Sequence, residues 1–340
     1  MLTPEETAPG AVALPFEPFP FLSHPHLQTI AAAELSFSLA PPSDLETVTL
    51  PDGDRLAIEV STPPAWRPGG GPAVGTGAPA DPTVVLIHGL CGSSRSPYIV
   101  RIARKLYRRG LRAVRVNLRG CGAGRGLARE PYHSGRSDDA RAVLEHLRRG
   151  CPHSPTTLAG FSLGGNIALK LAGEMGEAAG ALMDRVIAVC PPADLLASCL
   201  RLADGANRLY DQFFVWLLRR DLARRQRKFP DERRFRLPPR LSLMEFDDVY
   251  TAPRCGFQSG LDYYRKSSAL PLLAGIRVPC RILYSTDDPI VDNRVLERAA
   301  LAPTVQCFRT SGGGHLGFLG RPGAAGGIRW MDELVLEWCS

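Results

Sequence analysis

Between residues 83 and 190 two patterns alternate along the chain. Thr83–Ile87 is a short apolar run, as expected of a strand buried on both faces, and Arg112–Leu118, Thr156–Phe161 and Arg185–Cys190 read as further short strands. Between them lie stretches with apolar residues at helical spacing. Tyr98–Arg109 carries Ile99, Ile102, Ala103 and Leu106 and stops at Gly110, and Asp138–Arg149 carries Ala140, Val143, Leu144 and Leu147. Asn166–Met175 is a third such stretch. Strand–helix alternation predicts an α/β fold, a mostly parallel central sheet with helices on both faces. In such sheets ligands bind beyond the carboxyl ends of the strands. The alternation resumes with strands at Arg281–Tyr284 and Gln306–Phe308, a helix from about Arg294 to Ala300 between them, and a closing helix at Trp330–Trp338.

The flanking segments read differently. Residues 1–45, with several prolines, are expected to be an N-terminal extension, and 46–340 the folded domain. Alternating apolar residues around Pro51-Asp52-Gly53-Asp54 predict a hairpin. The Gly/Pro/Ala-rich stretch 62–82 predicts a flexible surface loop. From about 196 to 275 the alternation breaks into helical, basic sequence, which reads as an inserted cap.

Composition excludes several classes. With 44% hydrophobic and 22% charged residues the chain is not wholly disordered. No apolar run is long enough for a transmembrane helix. The opening MLTPEETAPG has neither the basic nor the apolar region of a secretory signal. Nine cysteines, an odd number without a CxxC pair, read as reduced thiols of a cytoplasmic protein and offer no metal-ligand spacing. Nothing in the pattern calls for a metal or a cofactor. Oligomeric state leaves no mark in the sequence.

The net charge of +7 has an address. Arg201 to Arg240 holds 12 basic and 5 acidic residues, an excess as large as that of the whole chain. A basic stretch suits nucleic acid, a membrane surface, an anionic ligand or plain solvent. Aromatics of only 7% and the lack of a reader motif argue against nucleic acid. In the same segment Tyr210, Phe213, Phe214, Leu217, Leu218 and Leu222 fall at helical spacing. They fit a helix packed on the body, an acyl-chain wall, or an interfacial helix on anionic lipid.

The chemistry centres on Gly160-Phe161-Ser162-Leu163-Gly164. This G-x-S-x-G lies directly between an expected strand and an expected helix, the setting of a nucleophile elbow. Gly160 and Gly164 would let strand and helix approach while the strained turn lifts the Ser162 hydroxyl clear. A serine hydroxyl needs an adjacent base. Of seven histidines, His315, in a glycine-rich loop after the last strand, is the candidate. His146 and His153 read as surface residues, and His24, His26 and His133 as loop residues away from the strand ends. An acid must hold the imidazole tautomer. Asp287 and Asp288 follow the Arg281–Tyr284 strand, and adjacent residues face opposite ways, so one serves. Asp288, immediately before Pro289, is preferred, and Asp287 is expected to be a solvated or loop-capping acid. Two N–H donors must receive the developing oxyanion. The candidates are Leu163, after the nucleophile, and Leu90, in the loop after the first parallel strand. His88 in that loop reads as structural.

These residues make the chain resemble the α/β-hydrolase fold, and further segments resemble the YheT-like hydrolases, relatives of eukaryotic abhydrolase-domain phospholipases. His24-Pro25-His26-Leu27-Gln28-Thr29 looks like the HPHLQT signature of that family. Asn117–Gly122 and Tyr132–Gly135 are similar to the loop after its third parallel strand, and Phe246–Pro253 and Gly256–Tyr264 to its cap. Gly313–Phe318 resembles its histidine loop. The resemblance runs from about 20 to 320 and implies a Ser162–Asp288–His315 triad and hydrolysis of carboxylic esters, medium-chain or lipid-like. The loop at 62–82 is longer and richer in Gly and Pro than the family pattern. An acyltransferase or thioesterase using the same residues is the alternative, since only the acceptor differs. A non-catalytic basic binding protein is a third reading, against which no triad residue is missing.

Overall fold

The computed structural model describes residues 11–34, 38–67 and 81–339. Among the described residues nine strands form one sheet: β1 (Ala11–Ala13), β2 (Asp44–Thr49), β3 (Arg55–Ser61), β4 (Thr83–Ile87), β5 (Arg112–Asn117), β6 (Thr156–Phe161), β7 (Arg185–Val189), β8 (Cys280–Ser285) and β9 (Val305–Thr310). Their order across the sheet is β1-β9-β8-β7-β6-β4-β5-β3-β2. The β2–β3 hairpin turns at the expected Pro51–Asp54 and runs antiparallel to β5, and all other pairings are parallel. The central strands are buried throughout because helices cover both faces. One face holds α2 (Pro97–Arg108) and α10 (Trp330–Cys339), the other α3 (Ser137–Gly150) and α4 (Leu163–Met175).

The topology sets the place for chemistry. From β4 the chain steps outward to β5, then crosses back over β4 to β6 and continues the other way. The carboxyl ends of β4 and β6 therefore flank a switch point, where an open α/β sheet has a crevice.

The cap interrupts the sheet between β7 and β8. It contains α5 (Leu195–Leu202), α6 (Arg208–Lys228), α7 (Leu243–Phe246), α8 (Ala252–Arg254) and α9 (Gly260–Ser267) around a core of its own. Asn166 on α4 ties its return to the body. The Asn166 amide donates to the carbonyls of Ser134 and Ser267, and its oxygen accepts from the Ala269 N–H.

Three expectations change. Residues 11–34, expected as an extension, are built into the domain: β1 pairs with β9, and α1 (Pro25–Glu34) packs under the last loop. His26 consequently stands on a helix, hydrogen-bonded and stacked on Tyr210 of α6, rather than in a loop. The helix expected at 294–300 is a short 3-10 turn, Asn293–Arg298. Of the loop expected at 62–82, residues 68–80 lie outside the described residues, while Trp66 is buried and donates to the Pro82 carbonyl.

Candidate active site

Ser162 sits between β6 and α4 with φ +52° and ψ −121°, a region that side chains rarely enter. Neighbouring glycines make the turn feasible. A Cβ on Gly160 would strike the carbonyl oxygen of Gly164, and one on Gly164 would strike that of Ile87 on β4. Strand, helix and the loop after β4 thus meet at backbone distance, and the Ser162 hydroxyl is pushed out over the sheet edge.

His315 Nε2 lies 2.9 Å from Ser162 Oγ, and His315 Nδ1 lies 2.8 Å from Asp288 Oδ2. The other Asp288 oxygen accepts from the N–H groups of Ile290 and Val291 at 2.8 and 2.9 Å. Asp288 and His315 are both buried, so their attraction is weakly screened. Asp287 turns the other way. Its carboxylate accepts from Ser285 Oγ and from the Gly314 N–H, capping the histidine loop from below.

That loop is also held from above, by residues the sequence reading took only as a family signature. Thr29 Oγ1 accepts from the His315 N–H at 2.9 Å. Gln28, completely buried, donates to the carbonyls of Leu22 and Leu319 and accepts from the Leu319 N–H at 2.7 Å. A buried glutamine with its amide atoms so matched is a positioning device. The legible signal was the motif, and its role needed the fold.

The loop after β4 is equally fixed. His88 is fully buried, its Nδ1 2.7 Å from the Gly89 carbonyl and its Nε2 accepting from the Leu118 N–H. Burial pushes its ring down to about 4, so it stays neutral and structural. The N–H of Gly89 donates to Tyr98 Oη, that of Cys91 to Tyr132 Oη, and that of Gly92 to the Gly89 carbonyl. Among the described residues the N–H groups of Leu90 and Leu163 have no such partner, and both residues line the cavity beside Ser162. Cys190, with φ +46°, lies beneath Asp288 and His315, and burial holds its thiol well above the usual range.

Above Ser162 opens a cavity of about 330 Å³ between cap and body. Leu195, Phe214, Leu218, Leu222, Phe246 and Ile290 supply apolar walls. The cap motif holds this wall in shape: Asp247 accepts from Thr251 Oγ1 and Tyr264 Oη, and burial pushes its carboxyl up to about 6. His133, expected to be away from the strand ends, packs edge-on against Phe257 and Tyr263, and burial pushes it down to about 3.

Residues 82–322 match the model of the α/β-hydrolase fold family. A putative esterase, YheT of Escherichia coli, is 31% identical over 327 residues, 95% of this chain and 92% of that protein. The chain belongs to the α/β-hydrolase family, and within it to the YheT-like hydrolases. The human phospholipase ABHD3 is similar to this hydrolase at 26% identity, over 81% of this chain and 66% of that protein. Among solved structures, the α/β-hydrolase GrgF from Penicillium shares the fold with a TM-score of 0.56 at 18% identity, covering 88% of this chain and 98% of that one. Within the described residues no helix is long and apolar enough to cross a membrane.

Proposed function

We propose that the protein hydrolyses carboxylic esters through an acyl-enzyme on Ser162. The observation that carries this reading is the 2.9 Å approach of His315 Nε2 to Ser162 Oγ, with Asp288 behind the imidazole. Ser162 Oγ attacks the ester carbonyl carbon as His315 takes its proton. The N–H groups of Leu90 and Leu163 receive the oxyanion, each such donor being typically worth about 3–4 kcal/mol. As the tetrahedral adduct collapses, His315 returns the proton to the leaving alcohol. Water, deprotonated by the same imidazole, then releases the acid and restores Ser162. Asp288 holds the Nδ1–H tautomer and stabilises the imidazolium. The apolar cavity suits a medium-length acyl chain, and the names of relatives, esterase and phospholipase, agree with an ester substrate. A fluorophosphonate probe followed by peptide mapping tests the reading. Covalent label on Ser162 is expected, and an unlabelled Ser162 in folded protein would contradict it.

The outer side of α6 supports a peripheral contact with an anionic lipid surface. Leu209, Phe213 and Trp216 form one stripe there, 77%, 54% and 50% exposed, and the Arg220 guanidinium stacks 4.5 Å over the Trp216 ring. Aromatic side chains followed by cations are the composition of an interfacial helix.

A further inference from the structure

Away from the serine the cavity changes character. Beside the loop that follows β5, its wall is formed by Arg125, Arg224, Arg225 and Lys228. Two cations that line the cavity are already used. Arg119 is enclosed by Asp52, Asp54 and Asp139, whose carboxylates outweigh the cost of its burial. Arg224 pairs with Asp221 at 2.7 Å. The others are left over. Among the described residues Arg125 and Lys228 have no carboxylate within 4.0 Å. Arg225 lies 5.5 Å over the Phe229 ring and reaches the Ala128 carbonyl at 3.4 Å and Glu232 at 3.8 Å, and its buried Nε has no hydrogen-bond partner.

These cations are held in place. Lys228 lies across Gly126, where an added Cβ would come within 2.7 Å of its Cε, and an Arg225 Nη sits over Gly120. Both glycines belong to the loop after β5, which stands two strands from β6 and its Ser162. At roughly 4.8 Å per strand, the ends of β5 and β6 are on the order of 10 Å apart, and Arg125, Arg225, Lys228 and Ser162 line one cavity. Apolar Leu195, Phe214 and Leu218 line the same cavity.

We propose that Arg125, Arg225 and Lys228 form an anion subsite, and that the ester cleaved at Ser162 carries a carboxylate or phosphate at the far end of an apolar chain. The proposal deepens the ester-hydrolase reading and rests on it. A chain with only methyl at that end would leave unpaired guanidinium donors in a partly desolvated wall. An anion there gains charge-assisted hydrogen bonds, which are roughly twice as strong as neutral ones.

Mono-p-nitrophenyl suberate, its equally long ω-phosphate analogue and p-nitrophenyl octanoate test the proposal at low salt. At least one anionic ester is expected to exceed the octanoate in kcat/KM by about tenfold or more, in line with a charged hydrogen bond of about 1.5–3 kcal/mol. The better of the two identifies the terminal group. The ratio is expected to shrink as salt is raised and to collapse toward unity or invert in Arg125→Glu/Lys228→Glu, two exposed positions where charge reversal spares the core. Equal rates in the wild type, or a ratio untouched by the double variant, would overturn the subsite while leaving the hydrolase reading intact. Loss of all turnover together with no fluorophosphonate label would instead overturn the hydrolase reading. In that case calorimetric binding to Ser162→Ala still decides the subsite. Tighter binding of monomethyl suberate than of methyl octanoate supports it, and equal binding refutes it.

Discussion

At the residue scale, the histidines show how environment assigns roles to one side chain. In the proposed reaction His315 carries a mobile proton at Nε2, beside Ser162 Oγ, while Asp288 holds a fixed one at Nδ1. His88 is tied at both nitrogens to backbone that needs a fixed one. The difference has a consequence for stability. In the unfolded chain an imidazole takes up a proton near pH 6.5, whereas folded His88 does so only at about 4 and folded His133 at about 3. Between those values the unfolded state binds more protons, so stability falls as pH is lowered. His88 alone accounts for about 3 kcal/mol by this linkage. Asp247 acts in the opposite sense, since its folded carboxyl at about 6 takes up a proton before the unfolded one does. Two imidazoles outweigh one carboxyl, so the urea midpoint at pH 5 is expected to lie clearly below that at pH 7. A midpoint at pH 5 equal to or above the pH 7 value would contradict this account of the buried rings.

At the scale of elements, two helices do more than cover the sheet. Helix α1 holds the histidine loop through Gln28 and Thr29. Thr29→Val would leave the His315 N–H without its acceptor, a loss of about 1–3 kcal/mol when buried. The expected result is a kcat lowered about tenfold with KM nearly constant, a parallel fall in fluorophosphonate labelling rate, and recovery in Thr29→Ser. An unchanged kcat would remove α1 from the mechanism. Helix α6 has three faces. Phe214, Leu218 and Leu222 look into the cavity, Val215 is buried in the cap, and Leu209, Phe213 and Trp216 look outward. Deleting the helix would therefore destroy the cavity wall along with any lipid contact. Phe213→Asp/Trp216→Asp is the cleaner probe. Wild-type sedimentation with phosphatidylglycerol vesicles is expected to be lost in the variant while hydrolysis of a soluble short ester persists, and sedimentation retained in the variant would refute the outer stripe of α6 as the lipid contact.

For the whole molecule, the legible parts of the sequence were those written locally. The central strands and helices announced themselves by period, and the elbow by its glycines. Opposed directions of adjacent side chains left one place for either Asp287 or Asp288, and the choice of Asp288 leaned on the Pro289 that follows it; in the fold Asp288 faces His315 while Asp287 faces Gly314. What was hidden depends on partners far away in the chain. Three residues, Ala11–Ala13, become a strand only because β9, nearly the length of the chain away, offers them an edge. Arg119 stood in the sequence only as part of Asn117–Gly122, and nothing local marked it as a buried arginine closed by acids from the β2–β3 turn and α3. Likewise the spacing in α6 revealed apolar residues but not that they divide among three surroundings.

All of this organisation converges on one hydroxyl, so its removal is the most direct test. Ser162→Ala deletes a single oxygen from a position whose backbone strain is already met, and circular dichroism can verify that the protein stays folded. Turnover of p-nitrophenyl butyrate is then expected to fall by roughly 10³- to 10⁴-fold or more, leaving only the contribution of the oxyanion donors and binding. A folded Ser162→Ala protein that keeps a substantial share of wild-type kcat/KM would contradict the account.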